Sequence, residues 1–265
     1  MTKFSIIKSR DGSTAASTAF CATKVEGPDG HLWVDGNGKI TARCGTLAKP
    51  RPNAFSLVQI SDCPYRTAPC SSACYVHGLE KHAPDTHALY VHNSKRVREI
   101  VSRVGTGVPE QWAHVLANWI DDNCPDFRWH VSGDVFSFAY AEWIELVCTW
   151  SPNTRHWIYT RSFPYVEPLA RASNLVVNLS ADHENYRFAR KVADDYDLRV
   201  CYLTRDGRVP SDMRDGDVVF PDYSLRGDVD WFLALTGREQ EMVCPVDFHG
   251  KSEERRCGPC ERCMI

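Results

Sequence analysis

The chain has 265 residues, 43% hydrophobic and 25% charged, with a formal net charge of −3. This balance allows a sizeable core and excludes the global basic field of many nucleic-acid-binding proteins. No apolar run reaches membrane-spanning length, and residues 1–13 lack the apolar segment of a secretory signal, so we expect a soluble cytoplasmic protein with no membrane partner.

The first 54 residues predict a β-rich N-terminal extension, because they are rich in Gly, Thr, Ser and Pro with short alternating pieces. Residues 31–45 predict a hairpin whose turn is the Asp-Gly-Asn-Gly sequence at 35–38. Residues 49–52, Lys-Pro-Arg-Pro, are typical of an extended linker into the main domain.

Strand-like and helix-like segments alternate over residues 55–240, which predicts βαβ units and a parallel sheet. The predicted strands are residues 55–60, 127–134, 155–162, 174–182, 198–207 and 217–223. The predicted helices are residues 95–122 with a break near 105–109, then 138–150, 168–172, 184–196 and 227–237, the last closed by Gly237. We expect an α/β fold, a partial (β/α) barrel of about six units, with an open doubly wound sheet as the alternative.

Polar residues follow most of the predicted strands, and this favours the barrel, whose active sites lie at the carboxyl ends of the strands. Helix capping is the alternative explanation for some of them, Asp134 and Asp182 in particular. The segments are Asp62 with Cys63, Ser132 to Asp134, Thr160 to Ser162, Ser180 to Asp182, and Thr204 to Asp206.

Seven of the twelve cysteines fall in two groups. The first cysteine group is Cys63, Cys70 and Cys74, and the tail cysteine group, in residues 241–265, is Cys244, Cys257, Cys260 and Cys263. Because no secretory signal is present, metal ligation is favoured over disulfides. The other five cysteines are scattered, and Cys148 and Cys201 lie in apolar runs typical of a core.

The tail cysteine group has the spacing C-x12-C-x2-C-x2-C, which suits either a [4Fe–4S] cluster or zinc. A zinc site would use four thiolates, or three thiolates with His249. The first cysteine group has only three cysteines, spaced C-x6-C-x3-C. Three protein ligands would leave one iron of a [4Fe–4S] cluster open for chemistry. His77 could instead be a fourth ligand of the cluster, or a zinc ligand. The alternative is that His77 is an ordinary polar loop residue.

A strand followed by three cysteines, and a Gly-acidic turn after the second strand, resembles the radical-SAM enzymes. The resemblance implies a [4Fe–4S] cluster on the first cysteine group, with S-adenosylmethionine at the open iron. It also implies that Ser132, Gly133 and Asp134 contact the amino group of S-adenosylmethionine. Arg161, Asp182 and Arg205 would then bind its carboxylate or the substrate. The usual spacing in that superfamily is C-x3-C-x2-C, whereas here position 77 is His and the third cysteine, Cys63, lies upstream.

From about residue 55 to the end, the chain resembles more closely a bacteriophage family called gene product 88. The resemblance implies a phage origin, a location in the host cytoplasm and a radical-SAM-like barrel. A phage setting favours a nucleic-acid or nucleotide-derived substrate. It also suggests a reductant protein of the host as partner. The matching segments are CPYRTAPCSSACY, HVSGDVFS, AEWIELV, HWIYTRSF, LVVNLSAD and CPVDFHGKSEERRCGPCERC.

Three functions therefore compete. The first is a radical-SAM-like iron–sulfur enzyme acting on a small-molecule or nucleic-acid substrate. The second is a zinc-containing barrel similar to the guanine transglycosylases, with Asp134 or Asp182 as the carboxylate nucleophile and the tail cysteines as a structural zinc site. The third is a non-catalytic phage protein that uses metal only for stability.

Overall fold

The computed structural model of the protein describes residues 22–36, 52–249 and 257–264. These residues form a mixed α/β fold built on one open eight-stranded sheet. The strands are β1 (Ala22–Gly27), β2 (Gly30–Gly36), β3 (Pro52–Phe55), β4 (Asp126–Trp129), β5 (Arg155–Thr160), β6 (Leu175–Ala181), β7 (Arg199–Thr204) and β8 (Val218–Pro221).

The eight strands lie in the sheet in the same order as in the chain. β1, β2 and β3 pair antiparallel, so the N-terminal hairpin extends the main sheet. From β3 to β8 every pair is parallel. The carboxyl ends of these six strands therefore meet at one edge of the sheet, where the loops that follow them can form a common site.

Helices connect the parallel strands from β3 to β7, whereas the described residues between β7 and β8 form no helix. Ser137 caps the helix after β4, accepting a hydrogen bond from the Tyr140 amide at 3.2 Å. No helix in the described ranges is both long enough and apolar enough to cross a membrane. The helices are α1 (Ala68–Ser72), α2 (Val76–His82), α3 (Pro84–Val101), α4 (Val108–Asn123), α5 (Phe138–Thr149), α6 (Val166–Arg171), α7 (Tyr186–Tyr196), α8 (Val229–Ala234), α9 (Gly237–Met242), α10 (Pro245–His249) and α11 (Cys257–Cys260).

The two faces of the sheet are covered differently. Phe127 and Trp129 of β4 are fully buried in the main core with the apolar faces of α4 and α5. On the other face, Trp157 packs with Met264 of the tail. Burial of each such large apolar side chain contributes roughly 1.5–3 kcal/mol. The tail therefore completes a second, smaller apolar layer opposite the helices.

The first parallel strand lies earlier than predicted. The sequence indicated residues 55–60, but β3 is Pro52–Phe55 and includes the end of the predicted linker. Beyond Phe55 the backbone bonds to loops and side chains in place of a strand: the Leu57 amide donates to the Ser132 carbonyl, and the Val58 amide to Ser94 Oγ, both at 2.9 Å. Within the predicted run, residues 55–57 are buried but Ile60 is exposed, and the ladder of β3 ends at the first residue of the run, Phe55.

Other element boundaries also differ. The helix predicted from residue 95 begins at Pro84, and two short helices, α1 and α2, were not predicted. Gly237 does not close a helix: it is the first residue of α9, which Thr236 caps. The described hairpin turns between Gly27 and Gly30, whereas the second arm of the predicted hairpin lies outside the described residues, as do Cys21 and Cys44.

Candidate functional site

A cavity of about 990 Å³ contains the predicted metal ligands of both cysteine groups. Cys201, which the sequence placed in the core, also lines it. We call it the thiol cavity. Its cysteines are Cys63, Cys70, Cys74, Cys201, Cys244, Cys257, Cys260 and Cys263.

The first cysteine group lies in the loop after β3. Cys63 follows a turn in which its amide donates to the Ile60 carbonyl at 3.2 Å. Cys70 lies in α1 and Cys74 just after it, and all three thiols are partly buried. Because the thiols come from a turn and a one-turn helix, their positions depend on what holds this loop against the sheet.

Thr67 holds the loop against the ends of β5 and β6. Its hydroxyl caps α1 by accepting from the Cys70 amide at 3.2 Å, and it donates to the buried carboxylate of Asp182. Arg161 donates to the same carboxylate at 2.7 Å. At the other end of α1, Arg205 donates to Ser72 Oγ at 2.8 Å. The three residues that the radical-SAM resemblance assigned to ligand binding are therefore also anchors of the cysteine loop.

Of these anchors, only Arg161 lines the thiol cavity; Asp182 and Arg205 lie outside its wall. Asp182 is fully buried, and its second oxygen accepts from the Glu184 amide at 3.0 Å. That bond belongs to the turn leading to α7, so Asp182 also has the turn-forming role that the sequence left open for it.

Ser132, Gly133 and Asp134 form part of the cavity wall after β4. The two carboxylate oxygens of Asp134 accept three hydrogen bonds, from Thr160 Oγ1 at 2.6 Å, from the Arg161 amide at 2.8 Å and from its neighbour Val135 at 2.7 Å. These donors fix the carboxylate between the ends of β4 and β5. Burial nevertheless raises its pKa, against the lowering effect of these bonds.

Two thiols of the first cysteine group, those of Cys63 and Cys70, resist ionisation. Burial raises the pKa of Cys63 to about 12, and the nearby Asp134 carboxylate and the two other thiols add to the shift. Burial is also the largest cause of the raised pKa of Cys70, which the positive charge of Arg161 opposes. A metal ion would reverse this balance, because coordination favours the thiolate and releases the proton.

The tail cysteine group reaches the cavity along the face of the sheet opposite the helices. The Cys244 amide donates to the Val219 carbonyl at 2.8 Å, beside β8. Asn178 of β6 donates to the Cys263 carbonyl at 3.1 Å, and Arg155, the first residue of β5, donates to Glu261 at 3.2 Å. The tail therefore approaches from the amino ends of the strands, whereas the first cysteine group lies at their carboxyl ends.

The Cys263 thiol ionises more readily than an ordinary cysteine. A hydrogen bond from Cys201 lowers the pKa of Cys263 to about 6, with further lowering by the Tyr159 hydroxyl and two arginines. Cys201, Cys244 and Cys263 belong to one packed cluster on this face. The prediction that Cys201 is a core residue is confirmed, since it is 1% exposed within this cluster, and it also borders the cavity.

The two histidines proposed as metal ligands, His77 and His249, are both exposed. His77 is exposed and lies outside the cavity wall; its Nδ1 is 3.2 Å from Gln59 Oε1, which also accepts from Cys74 Sγ at 3.3 Å. His249 is exposed at the cavity rim. Over the part of the chain that the structure describes, no three His, Cys, Asp or Glu side chains converge closely enough to hold a metal ion. What the cavity offers is a soft, thiol-rich donor set, which suits iron–sulfur clusters or zinc.

Two polar residues of the wall were missed in the sequence. Arg128 lies within β4 and His130 directly after it, and both residues line the cavity. Burial lowers the pKa of His130 to about 3, so its ring is neutral. The available signal was Arg128, a charged residue between Phe127 and Trp129, because successive side chains of a strand point to opposite faces. The His130 ring contacts the core instead, with Nε2 2.8 Å from the Tyr140 hydroxyl of α5.

The described fold can be compared with known families. A family model described as Gene product 88 matches residues 31–264. No curated protein and no solved structure matches the chain.

Proposed function

We propose that this chain, which belongs to the Gene product 88 family, is an iron–sulfur enzyme of the radical-SAM type. One observation carries the proposal: the cysteines of both groups, far apart in the sequence, line a single cavity with polar residues from the ends of the parallel strands. A purely structural metal site would not require a cavity of about 990 Å³ beside it. The family supports the phage origin, and a nucleic-acid or nucleotide-derived substrate is our proposal by analogy with that setting.

The strand order supports the finer description of the fold as a partial (β/α) barrel. Six parallel strands follow one another in chain order without reversal, as in barrels, whereas a doubly wound sheet reverses its order at a switch point. The thiol cavity lies on the face of the sheet opposite α4 and α5, where the interior of such a barrel would be. The open edges at β1 and β8 leave this interior accessible to a substrate.

Cys63, Cys70 and Cys74 would hold the catalytic cluster. When bound, such a cluster would supply one-electron reduction and cleavage of S-adenosylmethionine, at the iron that has no protein ligand. The chain's own residues position and shield it: Thr67, Asp182 and Arg161 fix the loop that carries the thiols. Arg161, at the cavity wall, has N–H groups suited to a carboxylate of the cofactor or the substrate.

The tail cysteines would hold a second cluster or a zinc ion. They lie on the same cavity but on different elements, so each site can be lost separately. The test is to purify the protein without oxygen and to measure iron, sulfide and zinc. We expect about eight iron ions per chain for two four-iron clusters, and cleavage of S-adenosylmethionine after reduction. Zinc without iron would overturn the proposal, and iron without cleavage would limit the first site to a redox or structural role.

Ligand variants assign the sites. Cys70→Ala should lose the first cluster and the activity, and Cys260→Ala should lose the second metal only. Cys124→Ala is the matched control, because Cys124 is buried beside β3, where its thiol donates to the Pro52 carbonyl at 3.3 Å, and does not line the cavity. Full metal content in both ligand variants would contradict the assignment.

The two alternatives have less support from the geometry. A transglycosylase-like zinc enzyme needs a free carboxylate nucleophile, but Asp182 lies outside the cavity wall and the oxygens of Asp134 accept three hydrogen bonds. A non-catalytic, metal-stabilised protein would not need the polar residues that line the cavity. The metal analysis above separates both alternatives from the proposed iron–sulfur enzyme.

A further inference from the structure

Arg128 places a buried cation on the wall of the thiol cavity. It lies within β4, is 8% exposed and lines the cavity. Its Nε–H group has no hydrogen-bond acceptor, and among the described residues no carboxylate forms an ion pair with its guanidinium. The thiols of Cys257 and Cys263 interact with this guanidinium electrostatically. A buried Nε–H donor without an acceptor is nevertheless unfavourable, so the position favours an oxyanion that accepts from it.

Aromatic groups hold this guanidinium without neutralising it. The Tyr159 ring lies 5.1 Å from the guanidinium carbon, and the Tyr75 hydroxyl accepts a hydrogen bond from Arg128. That hydroxyl donates in turn to the Val131 carbonyl at 2.6 Å. A guanidinium supported in this way keeps planar N–H donors that match two oxygens of a carboxylate or phosphate.

The other arginines of the cavity wall already have partners. Arg161 pairs with Asp182, and Arg226 pairs with Asp247 at 3.6 Å. Arg66 and Arg262 donate to backbone carbonyls. The carboxylate of Asp134, which also lines the cavity, is occupied by donors from β5 and its own turn. Among the described residues, Arg128 is therefore the buried arginine of this wall that forms no ion pair with a carboxylate.

We propose that Arg128 is the recognition point for an oxyanion, a carboxylate or a phosphate group, on the small molecule that the thiol cavity binds. The in-plane donors of the guanidinium receive the two oxygens, and the bound charge offsets the burial of the cation. The inference rests on the proposed function only in treating this molecule as the substrate; binding of the anion itself does not require a metal.

Calorimetric titration of the full chain, prepared without oxygen, tests this with inorganic phosphate in one arm and acetate in the other. We expect the wild type to bind at least one of them, and the arm that binds identifies the oxyanion class. Arg128→Gln should weaken binding at least tenfold. Arg128→Lys should weaken it by less, because lysine keeps the positive charge but lacks the planar pair of N–H donors. Arg208→Gln is the control, since that side chain is 89% exposed and outside the cavity wall, and it should bind like the wild type.

Failure of the wild type to bind either anion, or equal binding by Arg128→Gln, would overturn the proposal. If Arg128→Gln does not fold, phenylglyoxal labelling of the wild type replaces it. Phosphate or acetate should slow adduct formation at Arg128, measured by peptide mass spectrometry, and leave Arg208 unaffected. Equal rates at Arg128 with and without both anions would refute the subsite.

Iron and sulfide measured on the same samples separate this inference from the proposed function. Arg128→Gln with wild-type iron content and lost anion binding supports the subsite. A wild type that lacks iron but still binds the anion through Arg128 supports the subsite and defeats the iron–sulfur proposal.

Discussion

The hydroxyl group of Thr67 links the first cysteine group to the sheet. It accepts from the Cys70 amide and donates to Asp182, so one side chain connects α1 to the end of β6. Asp182 is also bound by Arg161 from the end of β5. The position of the Cys70 thiol therefore depends on three residues that are not themselves ligands.

Thr67→Val should reduce the iron bound at the first cysteine group while leaving the tail site intact, so that total iron falls to roughly half. The lost cap should also lower the free energy of unfolding by about 0.5–2 kcal/mol. Iron and sulfide analysis with urea unfolding measures both effects. Thr236→Val is the matched control, because Thr236 caps α9 away from this loop and should show the stability loss without the iron loss. Unchanged iron in Thr67→Val would contradict the anchoring role.

Gly133 shows why the predicted Gly-acidic turn needs its glycine. Its φ is +79°, and a Cβ atom there would lie 2.5 Å from Leu57 Cβ. Gly133→Ala should lower the free energy of unfolding by about 2–4 kcal/mol, from backbone strain and overpacking together. Gly216→Ala provides the comparison: φ is +91° there but nothing lies within 4 Å, so we expect about 1 kcal/mol. Equal losses in urea unfolding would show that the contact with Leu57 is unimportant.

At the scale of the elements, the N-terminal hairpin joins the sheet through a buried carboxyl group. Asp35 of β2 lies opposite Ala54 of β3, is fully buried and accepts from Ser56 Oγ at 2.9 Å. Burial raises the pKa of Asp35 to about 7 from the usual 3.8, although the hydrogen bond from Ser56 opposes the shift. The junction between β2 and β3 therefore depends on pH.

The folded state holds a proton on Asp35 that the unfolded chain loses above about pH 4. The free energy of unfolding should therefore fall as the pH rises from about 4 to about 7. Asp35→Asn stays neutral, so its stability relative to the wild type should increase across this window, by on the order of 2–4 kcal/mol at the upper end. Urea unfolding at several pH values measures this. Asp195→Asn, a change at an exposed position of α7, is the control, and its free energy of unfolding should change with pH as that of the wild type does. The same pH dependence in Asp35→Asn would show that Asp35 does not cause the loss of stability.

The parallel part of the fold was accessible from the sequence because its strands are short apolar runs separated by helical periodicity. Each of the six predicted parallel strands overlaps an observed one, and the mixed α/β class is confirmed. The helices α1 and α2 were missed because they lie in a segment rich in Pro, Cys and His without apolar periodicity. The shift of β3 depends on loop partners distant in the chain, which no local pattern reports.

The sequence predicted which residues form the site better than it predicted the contacts that each of them makes. Regular spacing identified seven cysteines, and all seven line one cavity. The contacts of Asp182 and Arg205 with the cysteine loop could not be foreseen, since they join residues more than 100 positions apart. Arg128 was overlooked because a single arginine inside an apolar strand carries no motif.

At the scale of the whole molecule, the main core is independent of the cysteine groups. It lies between the sheet and helices such as α4 and α5, with Trp112 and Trp129 fully buried. The loop of the first cysteine group is held by polar contacts, and the tail by polar contacts together with the small apolar layer around Trp157 and Met264. Metal binding should therefore stabilise the loop and the tail more than the core.

Removal of metal with a chelator should leave the far-ultraviolet circular dichroism close to that of the loaded protein, while residues 61–82 and 244–264 become sensitive to protease. The melting temperature should fall, by about 2–4 °C for each kcal/mol of stabilisation lost. Limited proteolysis with mass spectrometry locates the cleavage sites. Global unfolding of the metal-free protein would show that the core is not independent, and unchanged protease resistance would show that metal does not order these segments.

The approach of the tail from the amino ends of the strands has a consequence for biogenesis. During translation the first cysteine group and all the parallel strands leave the ribosome before Cys257, Cys260 and Cys263. The tail side of the cavity is therefore covered last. Under the proposed function, iron and sulfide would reach the first cysteine group before the tail docks, so the chain order itself would place assembly of the first site before that of the tail site.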